Sequence, residues 1–151
     1  MSKKGFRNCC KVAIDTAVLF SSFHQKNSLE ALLFEWCKNG EIEIFVSDYS
    51  VEELTLAINV SPERLSDFLL SSKAKVVSDV TLRKDPDYKE YAKEAKEFES
   101  VSDRPIFVLA KIFLRDNPQG YVITGDKELL KVNEHLGNRV KTLKEFIREL
   151  L

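Results

Sequence analysis

Four acidic residues, Asp15, Glu53, Asp103 and Asp126, lie far apart along the chain, each where an α/β fold would deliver it to one place. Asp15 closes the apolar run Val12-Ala13-Ile14, and Asp126 follows Tyr121-Val122-Ile123-Thr124-Gly125. Short apolar runs of this kind read as buried strands. In an open parallel sheet, ligands bind in the crevice outside the carboxyl ends of the strands, so both carboxylates are expected to face it. Glu53 and Asp103 fall on helices in between. Clustered carboxylates repel one another unless a hard cation neutralises them, and Mg²⁺ or Mn²⁺ prefers oxygen ligands. The chemistry such a set would serve is metal-dependent hydrolysis of a phosphodiester.

Each acid also has a purely local reading. Asp15 and Asp126 both stand where a helix N-cap is needed. Glu53 completes a capping-box pattern, Ser50-x-x-Glu53. At ~100° per residue, Val51, Leu54 and Ile58 define the apolar stripe of that helix, with Glu53 on its flank and Glu52 turned to solvent. Asp103 precedes Ile106 and Phe107 by three and four residues, which places it toward the buried side of its helix, as either a dipole-stabilised cap or a site residue facing inward. Arg104 beside it is either a phosphate contact or exposed. Thr124 could offer its hydroxyl to a ligand oxygen or water, and Gly125 permits a tight turn at the strand end.

The elements that must position these residues follow from periodicity and punctuation. Strand Lys11–Asp15 leads into a short helix, and a second helix, Ser28–Lys38, stops at Asn39-Gly40. Strand Glu41–Val46 carries Ile42, Ile44 and Val46 at period two. Helical stretches at Ser50–Asn59 and Pro62–Leu70 lead to a strand at Ala74–Ser78. In the amphipathic helix Pro86–Glu99, Tyr88, Tyr91, Ala92, Ala95 and Phe98 share one stripe opposite alternating Lys and Glu. A helix from Ser102 to about Arg115 holds Pro105 in its first turn. Strand Gln119–Ile123, helix Lys127–Asn133, a strand around Arg139–Lys141 and helix Leu143–Leu150 complete the chain. Strands alternating with helices imply an α/β fold, a mostly parallel sheet with helices on both faces.

With 151 residues the chain is expected to form one domain, residues 11–151, behind a basic tail over residues 1–10 that carries Lys3, Lys4 and Arg7. The net charge of −1 argues against a protein that coats nucleic acid, though not against an enzyme with a local basic patch. Cys9, Cys10 and Cys37 form no disulfide framework, which suggests a reducing cytoplasm. His24 and His135 stand alone, without zinc-ligand spacing. No apolar run approaches the ~20 residues of a membrane span, and no targeting segment is read.

Together, the order Asp, Glu, Asp, Asp and the segments KVAIDTAVLF (Lys11–Phe20), VSDYSVEEL (Val46–Leu54), SDRPIFVLAK (Ser102–Lys111) and YVITGDKELL (Tyr121–Leu130) resemble the PIN-domain nucleases. That family includes the VapC-type ribonuclease toxins. The resemblance spans Lys11 to about Arg148 and implies a three-layer α/β/α sandwich with a mostly parallel central sheet. It further implies an endoribonuclease using Mg²⁺ or Mn²⁺, with Asp15, Glu53, Asp103 and Asp126 as metal ligands and catalytic residues and Thr124 in support. For a toxin-like member it implies an antitoxin partner and a homodimer. The chain departs from the family at Ala17, where members often carry Asn or Ser, and in its long charged helix at Pro86–Glu99. Asp85-Pro86-Asp87 mimics a family motif, but its separation from Asp126 favours Asp103. Haloacid-dehalogenase-type phosphatases need a second acid two residues after the first, where Ala17 stands. The non-enzymatic alternative is an inactive PIN-like module that binds RNA or protein.

Overall fold

A computed structural model describes residues 10–96 and 104–150. Five strands, β1 (Lys11–Ile14), β2 (Glu43–Ser47), β3 (Lys75–Val77), β4 (Tyr121–Ile123) and β5 (Val140–Lys141), form one sheet in the order β3-β2-β1-β4-β5. Every pairing is parallel, with Ile14 opposite Val46 on one side and opposite Ile123 on the other. The chain builds outward from β1 to β3, then returns to place β4 on the free side of β1. The topological switch point therefore lies between the carboxyl ends of β1 and β4.

Period-two alternation divides the strand side chains between two cores. Val12, Ile14, Ile44, Val46 and Ile123 meet α1 (Thr16–His24), α2 (Leu29–Lys38), α3 (Asp48–Ala57), α4 (Pro62–Ser72) and α9 (Leu143–Leu150). Ala13, Val122, Val140 and the partly buried Phe45 and Val77 meet α5 (Asp79–Arg83), α6 (Tyr88–Ala95), α7 (Arg104–Asp116) and α8 (Lys127–Lys131). The result is the expected three-layer α/β/α sandwich, with a wholly parallel sheet. Of α7, eight residues are buried, because this helix lies across the sheet and is covered in turn by α6. Phe20, Phe23 and Trp36 pack against the first core beside buried Leu33 and Phe34, while Leu29 and Leu32 stay exposed.

Several expected elements shift. The helix carrying Glu53 starts at Asp48, because Ser47 rather than Ser50 is its N-cap, accepting the Ser50 N–H at 3.1 Å. The capping box at Ser50 is therefore not formed. Ile58 is the C-cap of that helix and is 49% exposed, so it leaves the apolar stripe. Strand β3 is shorter than expected because Ser78 already caps α5, a five-residue helix with no periodicity to betray it. The expected helix over Lys127–Asn133 stops at Lys131 and continues as a 3₁₀ turn, Asn133–Leu136. Phe98 and Ser102 fall outside the described residues.

The Asp85-Pro86-Asp87 segment has a structural task. Asp85 grips the Arg115 guanidinium with both oxygens, at 2.7 and 2.5 Å, and Asp87 adds a contact at 2.8 Å. These pairs tie the start of α6 to the end of α7. Arg115 holds the Asp85 carboxyl down to about 2, from an ordinary value of 3.8. A depressed acid contributes stability that is fully present above its unfolded value and is lost as pH falls through its folded value. Thermal melts between pH 4 and pH 2 are therefore expected to fall more steeply for the wild type than for Asp85→Asn.

Candidate functional site

Asp15 directly follows β1 and caps α1, its Oδ1 accepting the Val18 N–H at 2.9 Å. From just after β4, the buried Thr124 hydroxyl donates a hydrogen bond to Asp15 Oδ2. The same Thr124 oxygen accepts the Asp126 N–H at 2.9 Å. Asp126 caps α8 through Oδ1, which accepts the Glu128 N–H at 2.8 Å. The two capping roles are thus real, and they position the acids rather than exhaust them. A parallel register that puts Ile14 beside Ile123 also puts the residues after them side by side.

A cleft of about 470 Å³ opens here. Asp15, Thr16, Ala17, Glu53, Gly125 and Asp126 line it, together with Ile58 and Ile106. Three of the four sequence-nominated acids therefore share one cleft, at the switch point where sheets of this topology bind ligands. No Lys, Arg or His is among its lining residues in the described part of the chain. Asp103 lies outside the described residues, as do Lys3, Lys4 and Arg7. Glu53 lines this cleft, whereas Glu52 lines a different one.

Asp15 is 6% exposed. Burial pushes its carboxyl above the ordinary range, and the charge of Asp126 pushes the same way. The Thr124 hydroxyl and the Val18 and Gly125 N–H groups oppose this by stabilising the anion. Gly125 itself has no left-handed φ, and a Cβ there would meet nothing within 4 Å. The tight turn expected of this glycine is not what the backbone uses.

A hydroxyl network that the sequence reading missed fixes the opposite wall. Thr16 Oγ1 donates to the fully buried Ser50 Oγ at 2.9 Å, and Ser47 Oγ contacts the same oxygen at 3.2 Å. Ser50 lies one turn before Glu53 on α3. These three hydroxyls bolt α3 to the residue after Asp15, and so set the width of the cleft between Asp15 and Glu53. The signal available in sequence was slight: Thr16 stands directly after Asp15, and its partner Ser50 lies thirty-four residues away.

The donor set, carboxylate and hydroxyl oxygens without sulfur or imidazole, fits a hard cation such as Mg²⁺ or Mn²⁺. Among the described residues, no three His, Cys, Asp or Glu side chains come close enough together to hold a metal ion. Both Asp15 oxygens are engaged within the protein, which leaves Asp126 Oδ2 and the Glu53 carboxylate as donors without a hydrogen bond from the described residues.

Thr124→Val tests the network with little change of shape. Valine removes the donor to Asp15 and the acceptor for Asp126 N–H, leaving buried polar groups unsatisfied at a cost of roughly 1–3 kcal/mol. Chemical denaturation is expected to show that loss with an unchanged m-value.

No family model matches the chain, and no curated protein matches it. No helix among the described residues is long and apolar enough to cross a membrane.

Proposed function

We propose that the protein is a metal-dependent endoribonuclease of PIN type, hydrolysing RNA phosphodiesters at the acidic cleft. The observation that carries this reading is a cleft at the switch point lined, among the described residues, by three carboxylates and no basic side chain, with one carboxylate buried. Such a concentration of negative charge favours a divalent cation, and a cation there favours a phosphate. Asp15, Glu53 and Asp126 would hold the ion, joined by Asp103 from the sequence resemblance. When bound, the ion would supply Lewis acidity and charge neutralisation at the scissile phosphate. The chain's own part is positional. Thr124 holds Asp15 in one rotamer and aligns Asp126 through its N–H, while the Thr16–Ser50 bond keeps Glu53 facing them. Ala17, at the cleft wall, offers no polar contact to substrate, where many PIN proteins offer one.

The second reading is an inactive PIN-like module that binds RNA or protein. The lack of a three-ligand group among the described residues favours it. A toxin-like role, with an antitoxin partner, a homodimer and a cytoplasmic setting, belongs to the first reading and rests on the same resemblance.

Incubation with a pool of labelled RNAs under Mn²⁺, Mg²⁺ or EDTA separates the two. The nuclease reading expects cleavage that needs metal and disappears in Asp15→Asn and Asp103→Asn. Equal residual cleavage by wild type and both variants would count against it.

A further inference from the structure

A second cleft of about 550 Å³ adjoins the acidic one, between α3, α5, α6 and α7. The same two helices, α3 and α7, border both: Glu52 lines one and Glu53 the other, and Pro105 lines one and Ile106 the other. Consecutive residues are about 3.8 Å apart at Cα, so the two clefts lie close enough for one chain-like ligand to reach both. The two clefts differ in chemistry. Where the acidic cleft has no basic side chain among the described residues, this one gathers Arg83, Lys96 and Arg104 beside the rings of Tyr49 and Tyr88. The Arg83 guanidinium sits 5.9 Å from the Tyr88 ring centre and pairs with Asp79 at 2.6 Å. Asp48 is also engaged, both its oxygens accepting the Asp79 N–H at 3.0 and 3.1 Å. The Glu52 carboxylate, exposed at the cleft wall, makes no hydrogen bond or ion pair among the described residues.

We propose that this cleft receives one unpaired, amino-bearing base of a single-stranded RNA whose backbone runs into the acidic cleft; the proposal rests on the nuclease reading above. Each requirement of such a nucleotide has a counterpart. Aromatic and apolar walls take the base face, since single-stranded RNA is read by splaying bases onto aromatic side chains. Glu52 accepts from an exocyclic amino group, which cytosine and adenine carry and uracil lacks. Lys96 and Arg104 meet the phosphates, a contribution independent of sequence. The volume is that of a small-molecule site, ample for one base.

The test is fluorescence anisotropy with labelled octamers of cytidine, adenosine and uridine, in EDTA, on the uncleaving Asp15→Asn protein. Cytidine and adenosine octamers are expected to bind about tenfold more tightly than uridine, the order of one base contact. Adding Glu52→Ala should erase that preference, and adding Lys96→Ala should weaken all three alike. Both side chains are exposed, and matching thermal melts would show that the variants fold. Octamer binding without base preference, or unchanged by both substitutions, overturns the proposal. So does cytidine monophosphate binding as tightly as its octamer, which would make the cleft a site for free mononucleotides. If wild type cleaves RNA with Mn²⁺ and Glu52→Ala and Lys96→Ala cleave and bind like it, this proposal alone fails. If nothing is cleaved but base-selective binding responds to these substitutions, the nuclease reading fails and the cleft stands as an RNA-binding site.

Discussion

Asp15→Asn is expected to abolish metal-dependent RNA cleavage and, at neutral pH, to raise the melting temperature. The two effects share one cause. A carboxylate that is buried beside Asp126 is costly to keep charged, and its pKa is raised. A raised acid contributes stability that is present below its ordinary value of 3.8 and is lost as pH climbs through its folded value. As pH rises above 3.8, the unfolded carboxyl gains more from ionising than the buried one does, a penalty that asparagine does not carry. Asparagine keeps the geometry: its oxygen accepts the Val18 N–H, and its amide can donate to Thr124. The difference in melting temperature should be small near pH 4 and grow toward pH 7. Cleavage should fall by about 100-fold or more, the usual scale for losing a charge-stabilising group in an active site. Adding Mn²⁺ should stabilise the wild type and not the variant, because only a ligand of the folded state shifts its stability.

Phe146→Ala is expected to be the most damaging change to the fold, by about 3–5 kcal/mol. Phe146 is fully buried and meets the Tyr121 ring edge-on at 5.3 Å. Along α9, Leu143 and Phe146 are buried and Ile147 is partly buried, so this last helix is held to the first core by one apolar stripe. Its loss reaches the site, since β5 just before it supplies the Lys141 carbonyl that holds the Thr124 N–H at 3.0 Å. Urea unfolding should show the drop in midpoint. A change under 1 kcal/mol would mean that α9 does not close this core.

The sheet was legible because its strands obey simple periods. Ile42, Ile44 and Val46 were expected inside, and all three are buried. The helix N-caps at Ser28 and Asp126 were legible from residue type, and each accepts the N–H expected of a cap. What escaped were contacts between distant segments. Ser50 reads locally as a cap, yet its hydroxyl is taken by Thr16, thirty-four residues away. Asp85 and Asp87 were set aside as a site motif on spacing alone, because sequence cannot show that Arg115 lies across from them. Ile58 reads as part of a stripe because an unbroken helix was assumed, whereas α3 ends one residue earlier. For the site, Asp15, Glu53 and Asp126 were nominated from strand ends and a helical wheel, and they line one cleft. Asp103 was nominated in the same way and falls outside the described residues.

The most direct test of the central claim is a calorimetric titration of Mn²⁺ into the wild type, Glu53→Gln and Asp126→Asn. If the acidic cleft is a nuclease metal centre, the wild type binds Mn²⁺ and each substitution weakens binding by about tenfold or more, the scale on which a lost ligand counts. No binding by the wild type, or binding that neither substitution alters, would contradict it and leave the cleft to the inactive-module reading.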